Sequence, residues 1–218
     1  MRELTLPDGR ASAALFGGGE TVVVLGHGAG GNRSNAMLVA LANALAASGR
    51  AALLYNFPYA EARTRRPDPP AVLEATTRAA AVVAREASSA RRVVHGGRSM
   101  GGRIASQVVA QGERADGLVF LGYPLHPPGQ FEKRREAHLP QVAAPMLFLQ
   151  GTRDEFAELP LLKALVAKLG ARATLKLFDD ADHSFHVPAR TGRKDSGVRA
   201  ELADSLVAWI DNLASASR

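Results

Sequence analysis

Gly97-Arg98-Ser99-Met100-Gly101 stands between two segments of opposite character. Before it lies the apolar run Val93-Val94-His95, which reads as the end of a buried strand. After it, Gly102 to Ala110 reads as a helix. A serine on a tight strand-to-helix turn takes a strained backbone conformation that lifts its hydroxyl off the sheet. Its neighbours must be small, because a Cβ there collides with the adjoining strand and helix. Gly97 and Gly101 meet that demand, and Gly96 and Gly102 widen the clearance. The five letters alone occur by chance. In a strand–turn–helix setting they mark a nucleophilic serine, against the alternative of a glycine-rich connection with an incidental serine.

Outward from this turn, strand-like and helix-like segments alternate. Thr21–Leu25, Val93–His95, Leu118–Leu121 and Met146–Leu149 are short apolar runs and read as buried strands, with Ala51–Tyr55 and Thr174–Phe178 as further strands. Ser34–Ser48, Val72–Ala87, Leu159–Leu169 and Val198–Leu213 carry apolar residues at helical spacing, with Gly49 and Gly170 as stops. Apolar strands separated by helices predict a mostly parallel sheet covered by helices on both faces. Glu3–Phe16, with Pro7-Asp8-Gly9-Arg10 as its turn, predicts an N-terminal hairpin. Tyr123–Pro145 holds five prolines and no helical pattern. Trp209 on the last helix is expected to pack in the core.

The chain has 218 residues, is 46% hydrophobic and 22% charged, and carries a formal charge of +6. That is the size and composition of one soluble domain, expected to span residues 1–218. The absence of cysteine removes disulfides, thiolate metal sites and a cysteine nucleophile. No stretch reads as a signal peptide or membrane span, so a cytoplasmic protein without membrane partners is expected. The arginines are scattered and aromatics make up only 6% of the chain, a pattern that points away from nucleic acid.

A serine hydroxyl needs a base, and the base needs an orienting acid. In an open parallel sheet both must come from the carboxyl ends of strands. Asp154 follows the Met146–Leu149 strand, and His183 follows Thr174–Phe178. The order Ser99, Asp154, His183 is that expected of a nucleophile elbow. Glu155 is the alternative acid, and Asp179, Asp180 and Asp182 lie in the histidine's own loop, where they are expected to shape the turn. His183 with His186 matches no metal-ligand spacing, so neither metal nor cofactor is expected. Developing charge on a carbonyl oxygen needs backbone N–H donors. Met100, after the nucleophile, is one, and Ala29 in Gly26-His27-Gly28-Ala29-Gly30-Gly31-Asn32 is the other, with His27 expected to hold that loop by hydrogen bonds.

With these pieces assembled, the chain resembles the α/β-hydrolase superfamily over nearly its whole length. It is most similar to the dienelactone-hydrolase-like branch, and within it to the family containing a testis-expressed hydrolase-like protein and a subunit of the NSL histone-acetylation complex. The likeness is carried by Gly26–Gly30, Gly96–Gly102, Gln150–Asp154 and Asp182-His183-Ser184-Phe185. It implies an α/β-hydrolase fold with nucleophile Ser99, acid Asp154 and base His183. Dienelactone hydrolases proper carry a cysteine where this chain has Ser99. The interval from Leu121 to Met146 is too short for the helical cap of many members, so no cap domain is expected.

The activity expected is hydrolysis of a small ester or thioester by Ser99, His183 and Asp154, with Ala29 and Met100 as the oxyanion hole. Arg98 beside the nucleophile, and Arg190-Thr191-Gly192-Arg193-Lys194 after the histidine loop, point to an anionic substrate, unless they are solvated or ion-paired. The alternative is a catalytically weak interaction module on the same fold.

Overall fold

Runs of valine and leucine without charge belong where both faces of a sheet are covered. In the computed structural model, which describes residues 1–7 and 9–216, they form its central strands. The strands are β1 (Arg2–Thr5), β2 (Ser12–Phe16), β3 (Thr21–Gly26), β4 (Ala51–Tyr55), β5 (Arg92–Arg98), β6 (Gly117–Leu121), β7 (Met146–Gly151) and β8 (Ala173–Phe178). They make one sheet in the order β1-β2-β4-β3-β5-β6-β7-β8. Strand β2 is antiparallel to both β1 and β4, and all other pairings are parallel. The α/β-hydrolase fold is therefore present, N-terminal hairpin included. Asp8, within the expected hairpin turn, lies outside the described residues.

The helices are α1 (Ala36–Ala47), α2 (Pro58–Glu61), α3 (Pro70–Ser88), α4 (Met100–Ala110), α5 (Leu159–Leu169) and α6 (Asp195–Ala216). Side chains alternate across each strand. Val23 and Leu25 pack with α1 and α6 on one face, and Val22 and Val24 pack with α3 and α4 on the other. Phe120 and Phe148 join α5 on that second face. Gly117 opens β6 because a Cβ there would sit 2.7 Å from the ring of Trp209, which is buried in the core as expected.

Caps moved several boundaries. Helix α1 begins two residues later than Ser34 because Asn35 Oδ1 accepts from the N–H groups of Met37 (3.1 Å) and Leu38 (3.3 Å). Helix α3 begins at Pro70, where proline's missing N–H costs nothing. The one-turn helix α2 was too short to show a period in the sequence. Between β6 and β7 the chain forms a single 3₁₀ turn, Leu139–Gln141, and no helical cap. Among the described residues no helix is long and apolar enough to cross a membrane.

Strand β3 pairs with β4 on one side and β5 on the other, so the strand order reverses there. Crevices open at such reversals, beyond the carboxyl ends of the strands. The loop after β3 and the turn after β5 flank this one.

His95 of β5 sits between Val24 of β3 and Leu118 of β6, fully buried. Neither ring nitrogen has a hydrogen-bond partner in good geometry; the Arg114 carbonyl pulls only weakly toward protonation. Burial pushes its pKa down to about 4. Above the ordinary 6.5 both states hold a neutral ring and nothing is lost. Below it the unfolded chain binds a proton that the folded chain refuses, so stability falls with falling pH down to about 4. Urea unfolding should show this group costing about 2 kcal/mol between pH 7 and pH 5. His95→Leu should flatten the profile in that window, and an unchanged slope would contradict the account.

Candidate active site

The site is built on a strained turn. Ser99 has φ 50° and ψ −114°, a conformation costing of order 1–3 kcal/mol for a non-glycine residue. Its neighbours hold it there. The Ser99 N–H donates to the Leu121 carbonyl of β6 (3.1 Å), and its carbonyl accepts the Arg103 N–H of α4 (3.1 Å). A Cβ on Gly97 or on Gly101 would lie 2.3 Å from the Gly26 carbonyl oxygen. Gly96 and Gly102 do more than add clearance. A Cβ on Gly96 would meet the Val119 carbonyl oxygen at 2.2 Å, and one on Gly102 the Gly97 carbonyl oxygen at 2.8 Å. Four glycines thus let β5 and α4 press against β3 and β6, and the serine is left at the apex.

The loops after β7 and β8 are zipped together. The Thr152 N–H donates to the Phe178 carbonyl (3.0 Å) and the Arg153 N–H to the Ala181 carbonyl (2.9 Å). Gly151 permits this, since a Cβ there would stand 2.3 Å from the Ala181 oxygen. The approach brings Asp154 Oδ2 to 2.7 Å from His183 Nδ1, and His183 Nε2 to 2.9 Å from Ser99 Oγ. A carboxylate only accepts, so Nδ1 carries the proton and Nε2 is left to accept from the serine hydroxyl. Ser99, His183 and Asp154 are brought together in one relay, in the order expected.

Asp154 is 5% exposed, and three donors offset its desolvation. They are His183 Nδ1–H, the Phe156 N–H (2.8 Å to Oδ1) and Gln150 Nε2 (2.5 Å to Oδ2). Gln150 cannot rotate its amide, because its oxygen accepts the Tyr123 N–H at 2.8 Å. The Phe156 ring packs on the imidazole with centroids 4.3 Å apart. Gly122, at φ +71°, leaves room for it, since a Cβ would come within 3.3 Å of Nδ1. Gln150, Phe156 and Gly122 were not singled out from sequence. A polar residue at the end of an otherwise apolar strand was the one signal available.

The rival acids are occupied elsewhere. Glu155 is exposed. Asp182 Oδ1 accepts from the N–H groups of Ser184 (2.7 Å) and His186 (3.0 Å), shaping the turn as expected. The Asp180 N–H donates to Thr152 Oγ1, and its carboxylate faces Arg190. His186 pairs with exposed Asp195, which raises the imidazole pKa, so the two histidines of this loop serve different carboxylates.

The loop after β3 turns at Gly28–Gly31, with the Gly31 N–H donating to the Gly28 carbonyl at 3.1 Å and Gly30 at φ +70°. That carbonyl also accepts from the His27 ring (2.9 Å) and the Tyr59 hydroxyl (3.3 Å). His27 Nε2 accepts the Phe57 N–H (3.2 Å), so Nδ1 is the donor, and burial lowers the ring's pKa and keeps it neutral. His27 thus holds the loop as expected, with Tyr59 as an unforeseen partner. In a trans peptide the C=O and the following N–H point in opposite directions. With the Gly28 oxygen tied back, the Ala29 N–H points the other way, and Met100 opens α4, where the first N–H groups have no partner within the helix.

Ala29, Ser99, Met100 and His183 line an open cleft of about 530 Å³ with Arg98, Arg103 and Arg135. Arg98 also ties the histidine loop, donating to Ser184 Oγ at 2.9 Å, with Asp154 and Asp182 opposing the burial that lowers its pKa. The later basic cluster is elsewhere: Arg190 faces Asp180, and Arg193 donates to Glu201 and to the Asp179 carbonyl. Ion pairing accounts for those two arginines.

Three solved structures resemble the chain closely in shape. An α/β serine hydrolase without a lid from Xanthomonas campestris superposes with a TM-score of 0.73 at 22% identity, covering 95% of this chain and 94% of its own. A dienelactone hydrolase from Anabaena variabilis gives 0.73 at 21%, covering 97% and 95%. An α/β serine hydrolase homologue from Coxiella burnetii gives 0.70 at 22%, covering 95% of each chain. Likeness at these identities establishes the shared fold. A sequence model of the alpha/beta hydrolase domain matches residues 19–211, from just before β3 through the elbow, the loops after β7 and β8 and most of α6. With the sheet order, the strained serine and this match in agreement, the chain belongs to the alpha/beta hydrolase domain family.

Proposed function

We propose that the protein is a serine hydrolase of small esters or thioesters, with Ser99 as nucleophile, His183 as base and Asp154 as orienting acid. The observation that carries this reading is the relay of 2.7 and 2.9 Å from Asp154 through His183 to Ser99. In the first half-reaction Ser99 Oγ attacks the carbonyl carbon while its proton passes to His183 Nε2. The carbonyl oxygen becomes an oxyanion held by the Ala29 and Met100 N–H groups, with the positive end of α4 behind it. Collapse expels the alcohol or thiol, which takes the proton from His183. Water, deprotonated by the same imidazole, then hydrolyses the acyl-serine and restores the hydroxyl.

Within the superfamily we place the chain in the dienelactone-hydrolase-like branch, beside the testis-expressed and NSL-subunit relatives. The four shared motifs support this, as does likeness to the Anabaena dienelactone hydrolase. The serine in place of cysteine argues against a dienelactone as substrate.

A fluorophosphonate probe tests the reading, because it phosphonylates only a serine made nucleophilic by its surroundings. Labelling should map to Ser99 and disappear in Ser99→Ala. A folded protein that stays unlabelled would instead be an interaction module on a hydrolase frame.

A further inference from the structure

Arg103, in the first turn of α4, and Arg135, in the loop between β6 and β7, both line the cleft. Burial and mutual repulsion both lower the pKa of Arg103. Its Nε is buried without a partner, and its one side-chain hydrogen bond is a long contact to Gln107 at 3.4 Å. Among the described residues neither guanidinium has a carboxylate partner, although Arg134, beside Arg135, pairs with Glu136. The remaining charges of the cleft are committed. Arg98 serves Ser184, and the Asp68 carboxylate accepts the Tyr59 N–H at 2.9 Å. An unpaired buried donor destabilises the empty cleft, and the repulsion between the two guanidiniums adds to it. An anion entering between them would relieve both, and a carboxylate matches the planar fork of an arginine.

We propose that the cleft selects esters or thioesters bearing a carboxylate a short chain away from the scissile carbonyl, held by Arg103 and Arg135. The proposal rests on the serine-hydrolase reading for the reaction, but not for the anion site itself. Arg103 stands four positions after Ser99, about one helical turn along α4, so one short substrate can reach both side chains. Pro124 and Leu73, which also line the cleft, suit an apolar spacer.

Two substrate pairs test the idea and separate the acyl side from the leaving-group side. The first is 4-nitrophenyl hemiglutarate against 4-nitrophenyl pentanoate. The second is 4-carboxyphenyl pentanoate against its 4-carbamoyl analogue. Each rate is corrected for spontaneous hydrolysis. In one pair kcat/KM should favour the anion at least about tenfold at low salt, through KM, with the preference shrinking as salt rises. Arg103→Gln and Arg135→Gln should each cut that ratio about tenfold, and Arg91→Gln, on the far exposed surface, should leave it alone. If Arg103→Gln fails to fold, Arg135→Gln decides, since its side chain holds no structural bond.

Calorimetry with glutarate on the Ser99→Ala protein reads the anion site without turnover, and binding should weaken at least about tenfold in the arginine variants. No charge preference in either pair, together with no arginine-dependent glutarate binding, would overturn the proposal while leaving Ser99-dependent esterase activity standing. Arginine-dependent glutarate binding without any Ser99-dependent turnover would support the anion site and remove the esterase reading.

Discussion

Ser99→Ala should lower kcat/KM on a reactive ester by about 10⁶-fold if Ser99 is the proposed nucleophile, the scale on which triads fail when theirs is removed. The effect is this large because no neighbour replaces the serine. Among the described residues, the hydroxyl at the apex of the turn is the one His183 Nε2 contacts, and the elbow's other positions are glycine, arginine and methionine. What should remain is attack by water, aided by the proposed oxyanion hole; in other triads the oxyanion hole and binding preserve roughly 10³–10⁴-fold over the uncatalysed rate. Alanine also removes the 2.9 Å bond to His183 but leaves the φ 50° turn, which backbone bonds to Leu121 and Arg103 hold in place. The variant should therefore fold, with a circular dichroism spectrum and melting temperature close to wild type. A loss under tenfold in steady-state kinetics would remove Ser99 from the reaction.

Asp154→Asn should cost about 10⁴-fold in kcat, more than the lost charge alone suggests. The surrounding bonds dictate how the new amide must sit. The Phe156 N–H needs an acceptor at the Oδ1 position, so the asparagine oxygen goes there. Its NH₂ then occupies the Oδ2 position, facing His183 Nδ1 and the Gln150 NH₂. Gln150 cannot turn to accept, because its oxygen is held by the Tyr123 N–H. His183 is driven to the tautomer with its proton on Nε2, pointing at Ser99 as a donor where an acceptor is needed. The substitution disarms the base without moving it. Kinetics on the same ester check this, with slowed fluorophosphonate labelling as the second readout. Near-normal turnover in the variant would show that another group, such as Asp182, orients the imidazole.

The parts of this molecule that were legible in sequence share one property: each is decided by local chemistry. The central strands were legible because uncharged apolar runs between helices are buried only in a sheet covered on both faces. Gly49 and Gly170 ended helices because they sit at positive φ, 76° and 65°. The elbow could be read because its glycines are dictated by contacts of a few ångströms at the serine itself. Helix starts were less legible, since Asn35 and Pro70 act through caps that a hydrophobic period does not show.

Sequence alone determined the layered sheet, the strained serine turn and the two loops that bring Asp154 and His183 to it. Tertiary structure alone decided how Asp154 reaches the histidine, because backbone bonds draw together two loops 29 residues apart, with Gly151 small enough to let them touch. It also decided which arginines are spent. Arg190 and Arg193 meet carboxylates on neighbouring elements, while Arg103 and Arg135, 32 positions apart, arrive at one cleft with none. Charge is written along the chain, but its neutralisation depends on distance in space, which spacing in sequence does not encode.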